Sequence, residues 1–420
     1  MSRRLWLDIT DFLRWQGALT GLQHIQYHIA KQYIADGYDI HFFTYDEPTH
    51  AFSEVAFHPD EITKDGIIGT KDVMMATNTS VSLQHRVIQA LKHRTPMRVK
   101  HVAKKMLEYN ARATTLASRH KVATPFANGD LVLVLGGIWH GSFAADMAKA
   151  KKLQHFLLVH VVHDMIPWRV PAYVVEDLPA VFSSYKDVIF RIADGLVINS
   201  KNSKRDAEAF MKDRGITPPP SIIFRLADEA QSAKPVRRPG VPNKGFLLSV
   251  GTIEGRKNHM LLYYVYKQAL REGITLPPLV IAGRNGWLTD DFRYMVTHDP
   301  DVRGLITIHN GVTNSELTWL YQHCRFTIWP SFYEGWGMPV AESLAHGKLC
   351  LTSDTSSMSE IAPGLTDSFS PYDSHECLEK IVTYLDPKTL AIRERAIKAG
   401  FKTTTWRAMY IQIRSFIDSL

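Results

Sequence analysis

Residues 326–354 have the sequence FTIWPSFYEGWGMPVAESLAHGKLCLTSD, in which two short apolar runs enclose a glycine-rich turn. The runs FTIWPS and KLCLTSD have the length and composition of buried strands. Gly335 and Gly337 permit a tight turn, and Pro339 suits the first residue of a helix that we expect to continue through Ala345. The stretch therefore predicts a strand, a turn, a helix and a second strand, which is the repeating unit of a parallel α/β sheet.

The same alternation extends along most of the chain. The other expected strands are RLWLDIT, DIHFFTY, DLVLVLGG, HFLLVHVVHD and DGLVINS in the first half, and FLLSVGT, PLVIAGR and LITIHNG in the second. Most end in or next to Gly, Asp or Asn, which suits buried parallel strands with ligand groups at their carboxyl ends. An amphipathic helix, TGLQHIQYHIAKQYIADGY, separates the first two and ends near Gly37. We therefore predict an α/β protein.

A stretch rich in Pro, Gly and charge, DEAQSAKPVRRPGVPNKG, divides the two series of strands. It predicts a first doubly wound, Rossmann-like domain at 1–227, a linker at 228–244 and a second such domain at 245–402. The last segment, 403–420, is expected to be a helix that returns to the first domain. Two domains of this kind face each other across a cleft, which is a common place for a ligand.

Composition narrows the class of protein. The chain has 420 residues, of which 45% are hydrophobic, so it can bury a large core. We find no apolar run of the roughly 18 residues that a membrane span needs, and Asp8 interrupts the N-terminus before a signal-like run forms. We therefore expect a cytoplasmic protein. Cys324, Cys350 and Cys377 lie far apart without a C-x-x-C spacing, which favours buried free thiols over a zinc site or disulfides.

The positive charge is concentrated in one segment. Residues 86–121 contain ten Lys or Arg and a single acid, Glu108, giving +9 where the whole chain has +7. Thr95 and Pro96 are typical of a helix start, and the following apolar spacing predicts a basic amphipathic helix over 95–112. Its basic face contains Arg98, Lys100, Lys104, Lys105 and Arg112.

Three interpretations of this basic helix stay open. It is compatible with anionic lipid at the inner face of the cytoplasmic membrane or with an acceptor that carries phosphate. It is equally compatible with a solvated helix that packs on its own domain. Nucleic acid is less favoured, because Tyr109 is the one aromatic residue among these basic side chains and no nucleic-acid motif accompanies them.

The two carboxylates of the opening stretch indicate the chemistry of the ligand. The helix that begins near Pro339 has free N–H groups, which favour a phosphate or a hydroxyl-rich group. A carboxylate can accept two hydrogen bonds from a vicinal diol, so Glu334 and Glu342 suit one sugar and one ribose. The pair therefore fits a nucleotide sugar. An isolated Glu near a helix start is more often only a favourable partner of the helix dipole, so the argument depends on the whole constellation.

EGWGMPVAE resembles the E-G-F-G-x-P-x-x-E signature of retaining glycosyltransferases of family 4, which have the GT-B fold. Further matches to this family are SVGTIEGRKNHMLL, IAGRNGW and HNGVTNSELTWLY in the second half, and LTGLQHIQYHIA and VVHDMIPWRVPAY in the first. They follow in the family's order over most of the chain. Trp336 stands where Phe is usual, Gly255 where Pro is common, and SMSEIAPG replaces Leu-Pro-Glu-x-x-Gly. These departures remove no charged group, although they bear on the choice of donor.

The resemblance implies a role for each matching residue. It assigns the donor diphosphate to Gly21, Arg256 and Lys257, the transferred sugar to Glu334, Gly335, Trp336, Gly337 and Met338, the ribose to Glu342, and a catalytic contact near the reacting carbon to His163 together with Glu334. A base pocket is expected around Gly283, Arg284, Asn310 and Val312. No metal and no other cofactor is expected, since two basic residues face the diphosphate.

The resemblance implies transfer of a hexosyl group, with retained configuration, from GDP-mannose or a UDP-hexose to a saccharide acceptor. With the basic helix at a membrane surface, the acceptor is expected to be lipid-linked, in capsule, O-antigen or exopolysaccharide synthesis. The alternatives are a non-catalytic protein of the same fold that binds sugar nucleotides, and a basic protein that binds nucleic acid.

Overall fold

The computed structural model describes residues 3–14, 17–18, 21–59, 63–64, 67–68, 122–137, 139, 141–229 and 233–420. The predicted basic helix at 95–112 lies outside these residues. None of the helices in the described ranges combines the length and apolarity that a membrane crossing requires.

The described strands form three sheets. They are β1 Leu5–Asp8, β2 Gly17–Ala18, β3 Ile40–Asp46, β4 Ala51–Val55, β5 Thr63–Lys64, β6 Ile67–Ile68, β7 Leu131–Val134, β8 Leu157–Val162, β9 Gly195–Ile198, β10 Ser221–Ile223, β11 Leu247–Val250, β12 Leu279–Ala282, β13 Ile306–His309, β14 Thr327–Trp329, β15 Cys350–Ser353 and β16 Asp367–Phe369. The first sheet has the order β10-β9-β8-β7-β1-β3-β4 and the second β13-β12-β11-β14-β15-β16, while β2, β6 and β5 form a small antiparallel sheet.

The helices connect and cover these sheets. They are α1 Thr10–Arg14, α2 Gly21–Ala35, α3 Phe143–Gln154, α4 Ile166–Arg169, α5 Leu178–Ile192, α6 Lys201–Asp213, α7 His259–Arg271, α8 Asp290–His298, α9 Asn314–His323, α10 Met338–Ala345, α11 Met358–Ile361, α12 Ser374–Thr383, α13 Pro387–Gly400 and α14 Trp406–Ile417, with 3₁₀ turns at Pro171–Tyr173 and Gly255–Lys257. The predicted strand, turn, helix and strand of the opening stretch are β14, α10 and β15 with the turn between them.

The prediction of an α/β protein with two doubly wound domains is confirmed. Both large sheets are parallel except for the edge pair β3 and β4. Every residue of β7, β9, β11, β12 and β15 is buried, as expected for parallel strands covered on both faces. The edge strand β4 was not predicted, because its sequence AFSEV is short and exposes Ser53 and Glu54.

Along the chain, β10 is the last strand of the first sheet and β11 is the first strand of the second, and the predicted linker 228–244 falls between them in sequence. The chain returns to the first domain after α13, and hydrogen bonds join the two connecting segments. Asp228 N–H donates to the Thr404 carbonyl oxygen (3.0 Å) and Thr404 N–H to the Asp228 carboxylate (2.5 Å). Beyond this point α14 packs on α2, where Arg407 and Arg414 both lie 2.6 Å from the Asp36 carboxylate. The last helix is therefore fastened to the first domain.

The three cysteines are buried and free, as predicted. Burial raises the pKa of the Cys324 and Cys350 thiols to about 12 and raises that of Cys377 as well. All three therefore stay protonated at neutral pH.

Candidate functional site

The turn between β14 and α10 depends on one left-handed glycine. Gly337 has a φ of 108° and precedes the first residue of α10, a backbone conformation that residues with a Cβ rarely adopt. Pro339 follows in the first turn of the helix, where the absence of an N–H costs nothing. The predicted helix thus begins one residue earlier than expected, at Met338.

Glu334 lies in this turn and is held by cations. Its Oε2 atom lies 2.7 Å from the Arg256 guanidinium, and Oε1 accepts a hydrogen bond from Ser331 Oγ (2.8 Å). Lys257 Nζ is more distant, 3.8 Å from Oε1. Burial alone would raise the pKa of Glu334, but the charges of Arg256 and Lys257 hold it below the ordinary value. Glu334 is therefore ionised at neutral pH.

Arg256 and Lys257 differ in how fully they are engaged. Arg256 contacts both Glu334 and Glu254 (2.5 Å) and also donates to the Tyr333 carbonyl oxygen. Lys257 has the loose contact with Glu334 and lies 4.4 Å from the centroid of the Trp329 ring. Burial lowers the pKa of Lys257, although nearby carboxylates oppose this. Of the two cations, Lys257 is the one free to turn toward a ligand.

Glu342 lies inside α10, and Tyr321 positions its carboxylate. Tyr321 Oη donates a hydrogen bond to Glu342 Oε2 (2.7 Å), and the Tyr321 ring stacks on His346 with centroids 4.8 Å apart. Burial raises the pKa of Glu342, while the Tyr321 hydrogen bond and Lys257 oppose the shift. Sequence reasoning missed Tyr321, because no local pattern links it to a residue 21 positions later.

His163 follows β8, at the edge of the first sheet that faces the second domain. Its Nε2 atom lies 2.7 Å from the Leu135 carbonyl oxygen, so Nε2 carries the proton and Nδ1 is left as an acceptor. Burial lowers the pKa of His163 and keeps the ring neutral. Asp164 does not contact the ring nitrogens; its carboxylate accepts from Ile166 N–H (2.9 Å) and caps the next turn.

The two domains enclose a cavity of about 520 Å³. Of the predicted site residues, its wall contains Gly21, His163, Arg256, Lys257, Glu334, Gly335, Trp336, Gly337, Met338 and Glu342. The first domain supplies two of these and the second domain the rest. A Cβ atom on Gly21 would lie 2.8 Å from Met338 Sδ, so the two domains approach each other closely at this glycine.

The four residues predicted for the base pocket are not part of this wall: Gly283, Arg284, Asn310 and Val312. Gly283 instead allows two strands to approach, because a Cβ there would lie 1.8 Å from the Gly251 oxygen. The carbonyl oxygen of Asn310 accepts from Arg238 in the segment between the domains (2.6 Å). One face of α9 lines the cavity in their place, through Asn314, Leu317, Thr318 and Tyr321.

Contacts between the domains surround the turn, and the sequence did not reveal them. Ser200 Oγ and Ser203 Oγ donate to the Gly335 oxygen (2.8 and 3.2 Å). The Glu360 carboxylate accepts from the N–H groups of Lys201 (2.7 Å) and Asn202 (2.8 Å) at the start of α6. The available signal was the run DGLVINS, which places polar residues directly after a buried strand, as HFLLVHVVHD does for His163.

Two further predictions concern a basic surface and a reaction without a metal ion. Arg98, Lys100, Lys104, Lys105 and Arg112, the expected membrane or acceptor surface, lie outside the described residues. Within the described ranges no three His, Cys, Asp or Glu side chains are grouped to hold a metal ion. The expectation of a reaction without metal stays a prediction.

Comparison with known proteins bears on this site. Residues 234–403 match the model of the family Glycosyl transferases group 1. The matched segment includes Arg256, Lys257, Glu334 and Glu342. The chain is also 32% identical over 118 residues to the O-antigen chain mannosyltransferase B of Escherichia coli, covering 28% of this chain and 31% of that protein. It is 25% identical over 218 residues to the serotype-specific mannosyltransferase WbdA of Escherichia coli, covering 48% and 26%. The chain thus spans about a third or less of these relatives.

Solved structures resemble the whole chain. Anabaena Alr3699/HepE in complex with UDP and glucose has a TM-score of 0.61 at 13% identity, covering 100% of both chains. Sucrose-phosphate synthase from Thermosynechococcus elongatus has a TM-score of 0.62 at 14% identity, covering 99% of this chain and 98% of that one. At these identities the likeness establishes the architecture alone. The chain has the GT-B fold.

Proposed function

We propose that this chain is a retaining glycosyltransferase that moves a hexosyl group from a nucleoside-diphosphate sugar, GDP-mannose or a UDP-hexose, to a saccharide acceptor. The observation that carries the proposal is the convergence of Glu334, Glu342 and Lys257 with Gly21 and His163 of the opposite domain on one cavity. The group 1 family match supports the transferase class, and the names of the mannosyltransferase relatives support polysaccharide synthesis.

The donor diphosphate would lie against Lys257 and Gly21. As the glycosidic bond breaks, negative charge grows on the leaving phosphate, and a buried cation stabilises that charge more than an exposed one would. Lys257 is available because its contact with Glu334 is long, at 3.8 Å. Arg256 would act mainly by fixing Glu334, since its guanidinium already contacts two carboxylates and a carbonyl oxygen. With these cations in place we expect no metal requirement, and activity in excess EDTA tests that.

The two glutamates would bind the two sugars of the donor. Glu342 would accept hydrogen bonds from the ribose hydroxyls, with Tyr321 holding its other oxygen in place. Glu334 would orient the transferred hexose together with the N–H groups of Trp336, Gly337 and Met338. Its two oxygens already have protein partners, yet a carboxylate offers about four acceptor sites, so room for sugar hydroxyls is left.

In the reaction the bond between the anomeric carbon and the diphosphate oxygen breaks, and a bond from that carbon to the acceptor oxygen forms on the same face. The acceptor hydroxyl proton passes to the departing phosphate oxygen, so a nucleoside diphosphate and an extended saccharide result. The neutral His163 ring would contact the sugar near the reacting carbon. No covalent carboxylate intermediate is included.

The acceptor would be a lipid-linked saccharide in O-antigen, capsule or exopolysaccharide synthesis. The O-antigen mannosyltransferase relative supports the saccharide, and the +9 charge of residues 86–121 motivates the lipid. Sedimentation with vesicles tests this part separately. Binding to vesicles that contain phosphatidylglycerol but not to neutral phosphatidylcholine vesicles is expected; equal binding to both, or none, would contradict it.

The decisive experiment measures binding and slow hydrolysis of UDP-glucose, UDP-N-acetylglucosamine, GDP-mannose and their free nucleotides, in EDTA, by wild type and Glu342→Ala. We expect one nucleotide series to bind and the variant to lose that binding. Glu379→Ala, an exposed glutamate outside the cavity wall, is the matched control and should bind as wild type does. Absence of binding for every nucleotide, with or without added Mg²⁺, would refute the proposal.

A further inference from the structure

Asn199 is a buried polar residue at the point where the two domains meet; it lies in the run DGLVINS, outside the segment that the family model matches. It directly follows β9, and the pairing of Val162 with Ile198 places it beside His163 at the ends of neighbouring parallel strands. Only 3% of Asn199 is exposed, yet it forms part of the cavity wall. Asn199 thus borders the cavity while being almost fully shielded from solvent.

A hydrogen bond fixes the orientation of the Asn199 amide. Asn199 Nδ2 donates to the His163 carbonyl oxygen over 2.7 Å. A flipped amide would set its own oxygen against that carbonyl oxygen, so Oδ1 must occupy the other position. The orientation of the Asn199 amide group thus follows from this hydrogen bond.

Asn199 Oδ1 has no hydrogen-bond partner among the described residues. A buried amide oxygen without a donor costs about 1–3 kcal/mol, and buried polar atoms are satisfied in the great majority of cases. An unpaired buried acceptor in a cavity wall therefore indicates a place where a ligand supplies the donor. Two other atoms of this wall, the indole N–H groups of Trp329 and Trp336, also lack a partner among the described residues; they are donors, and an oxygen atom of a ligand would satisfy them.

Oδ1 is a hydrogen-bond acceptor, so it can bind only a part of the nucleotide sugar that has a proton to donate. A diphosphate has no proton to donate at neutral pH, so Oδ1 cannot serve that part. Sugar hydroxyls and the N–H groups of the base donate. The ribose hydroxyls are assigned to Glu342, and the base is attached to that ribose, at the opposite end of the diphosphate from the hexose. The transferred hexose is placed at the turn around Gly335, which the next residue, Ser200, contacts over 2.8 Å.

We propose that Asn199 is a substrate-binding residue whose amide oxygen accepts a hydrogen bond from one hydroxyl of the transferred hexose. The inference rests on the proposed function and adds a first-domain contact to the sugar. The hexose would then lie between Asn199 of one domain and the backbone N–H groups of the turn in the other. Closure of the domains would in this way depend on the sugar and not only on the nucleotide.

The test compares sugar nucleotides with free nucleotides by calorimetry, using UDP, UDP-glucose, GDP and GDP-mannose. In Asn199→Ala the affinity for the sugar nucleotide should fall roughly 2- to 10-fold, the usual net value of one hydrogen bond, while that for the free nucleotide stays within about twofold. Gln26→Ala is the matched control. Gln26 also donates its amide N–H to a backbone oxygen, that of Asp8 (3.2 Å), and its Oε1 lacks a partner in the part of the chain that the structure describes, but it lies outside the cavity wall. It should leave both affinities in the wild-type ratio.

Deoxy analogues separate direct contact from an effect through His163. With the 3-, 4- and 6-deoxy forms of the sugar nucleotide that binds, wild type should lose affinity for one analogue, and that loss should vanish in Asn199→Ala. Equal weakening of free and sugar nucleotides, or no deoxy analogue bound less well than the parent by wild type, would overturn the inference while leaving the proposed function intact. If wild type binds none of the four nucleotides, the proposed function fails and this inference with it.

Discussion

A Cβ atom on Gly335 would lie 2.3 Å from the main-chain oxygen of His163, in the opposite domain. It would also lie 2.7 Å from Asp164 Cβ. The backbone of the sugar-binding turn thus touches the backbone that carries the His163 ring. Since neither partner is the end of a flexible side chain, any larger residue at position 335 must push the domains apart.

Gly335→Ala is therefore expected to lower kcat/KM for transfer or donor hydrolysis roughly 10- to 100-fold, because the reacting groups of the two domains no longer meet. Its thermal unfolding should change less than its activity, since the substitution removes no buried hydrophobic side chain. Gly400→Ala is the control: its Cβ would make an ordinary contact, 3.4 Å from Leu365 Cδ2, at the end of α13. An activity of Gly335→Ala equal to that of Gly400→Ala would show that the close contact is not needed.

Lys257→Gln tests which cation serves the diphosphate. We expect the affinity for UDP or GDP to fall about tenfold or more, while that for the nucleoside without phosphate is unchanged. The comparison is made by calorimetry at fixed ionic strength. Lys267→Gln, which removes a lysine paired with Asp299 and Asp301 outside the cavity wall, should have no effect. Equal losses for nucleotide and nucleoside would instead indicate a general disturbance of the site.

Tyr321→Phe tests whether the Tyr321 hydroxyl favours the ionised form of Glu342. Burial raises the pKa of Glu342 above the ordinary value of 4.5, and the Tyr321 hydrogen bond opposes that rise by favouring the ionised form. Without the hydroxyl the pKa of Glu342 rises further. Because nucleotide binding needs the ionised carboxylate, binding should be lost at a higher pH than in wild type as the pH is lowered. The dissociation constant of UDP or GDP is measured as a function of pH.

The matched control is Tyr266→Phe, which removes another buried hydroxyl that donates to the Pro277 carbonyl oxygen outside the cavity wall. It should leave the acid limb in place. An acid limb of Tyr321→Phe that coincides with wild type would exclude Tyr321 as a positioning residue for Glu342.

Asp8 predicts a pH dependence of stability. Burial and the neighbouring Asp11 carboxylate raise the pKa of Asp8 from 3.8 to about 7. The folded chain thus retains a proton that the unfolded chain loses, and the free energy of unfolding falls as pH rises from 3.8 to about 7. Asp8→Asn cannot ionise and can still accept from Thr10 N–H and Oγ1 (3.0 and 2.7 Å). Its Tm relative to wild type should be roughly 2–5 °C higher at pH 8 than at pH 5.

Asp299→Asn is the control, because the pKa of Asp299 is shifted in the opposite direction from that of Asp8. Hydrogen bonds from Tyr263 and Lys267 lower the pKa of Asp299 to about 2, so its contribution to stability is lost only as pH falls below about 4. Between pH 5 and 8 its Tm should therefore differ from that of wild type by a constant amount. If Asp8→Asn also shows a constant difference over this range, Asp8 is ionised in the folded protein.

The sequence predicts those parts of the site that follow from local pattern. Glu334 and Glu342 flank one turn, and His163 ends one apolar run, so strand ends and spacing suffice to bring them to the cleft. The hydrogen bond from Arg238 to the Asn310 carbonyl oxygen could not be predicted, because the two residues lie 72 positions apart. Asn199 was missed for a related reason, since its partner atom lies on another strand. Such contacts depend on register and domain closure, which no local periodicity encodes.

The burial of all three cysteines makes this protein convenient for fluorescence labelling. Because the native thiols are inaccessible and protonated, a maleimide dye should react selectively with cysteines introduced on the surface. Leu153 on the first domain and Ile392 on the second are 57% and 59% exposed, and so accept such a change. Energy transfer between dyes at Leu153→Cys and Ile392→Cys would then follow the approach of the two domains in real time as each sugar nucleotide arrives.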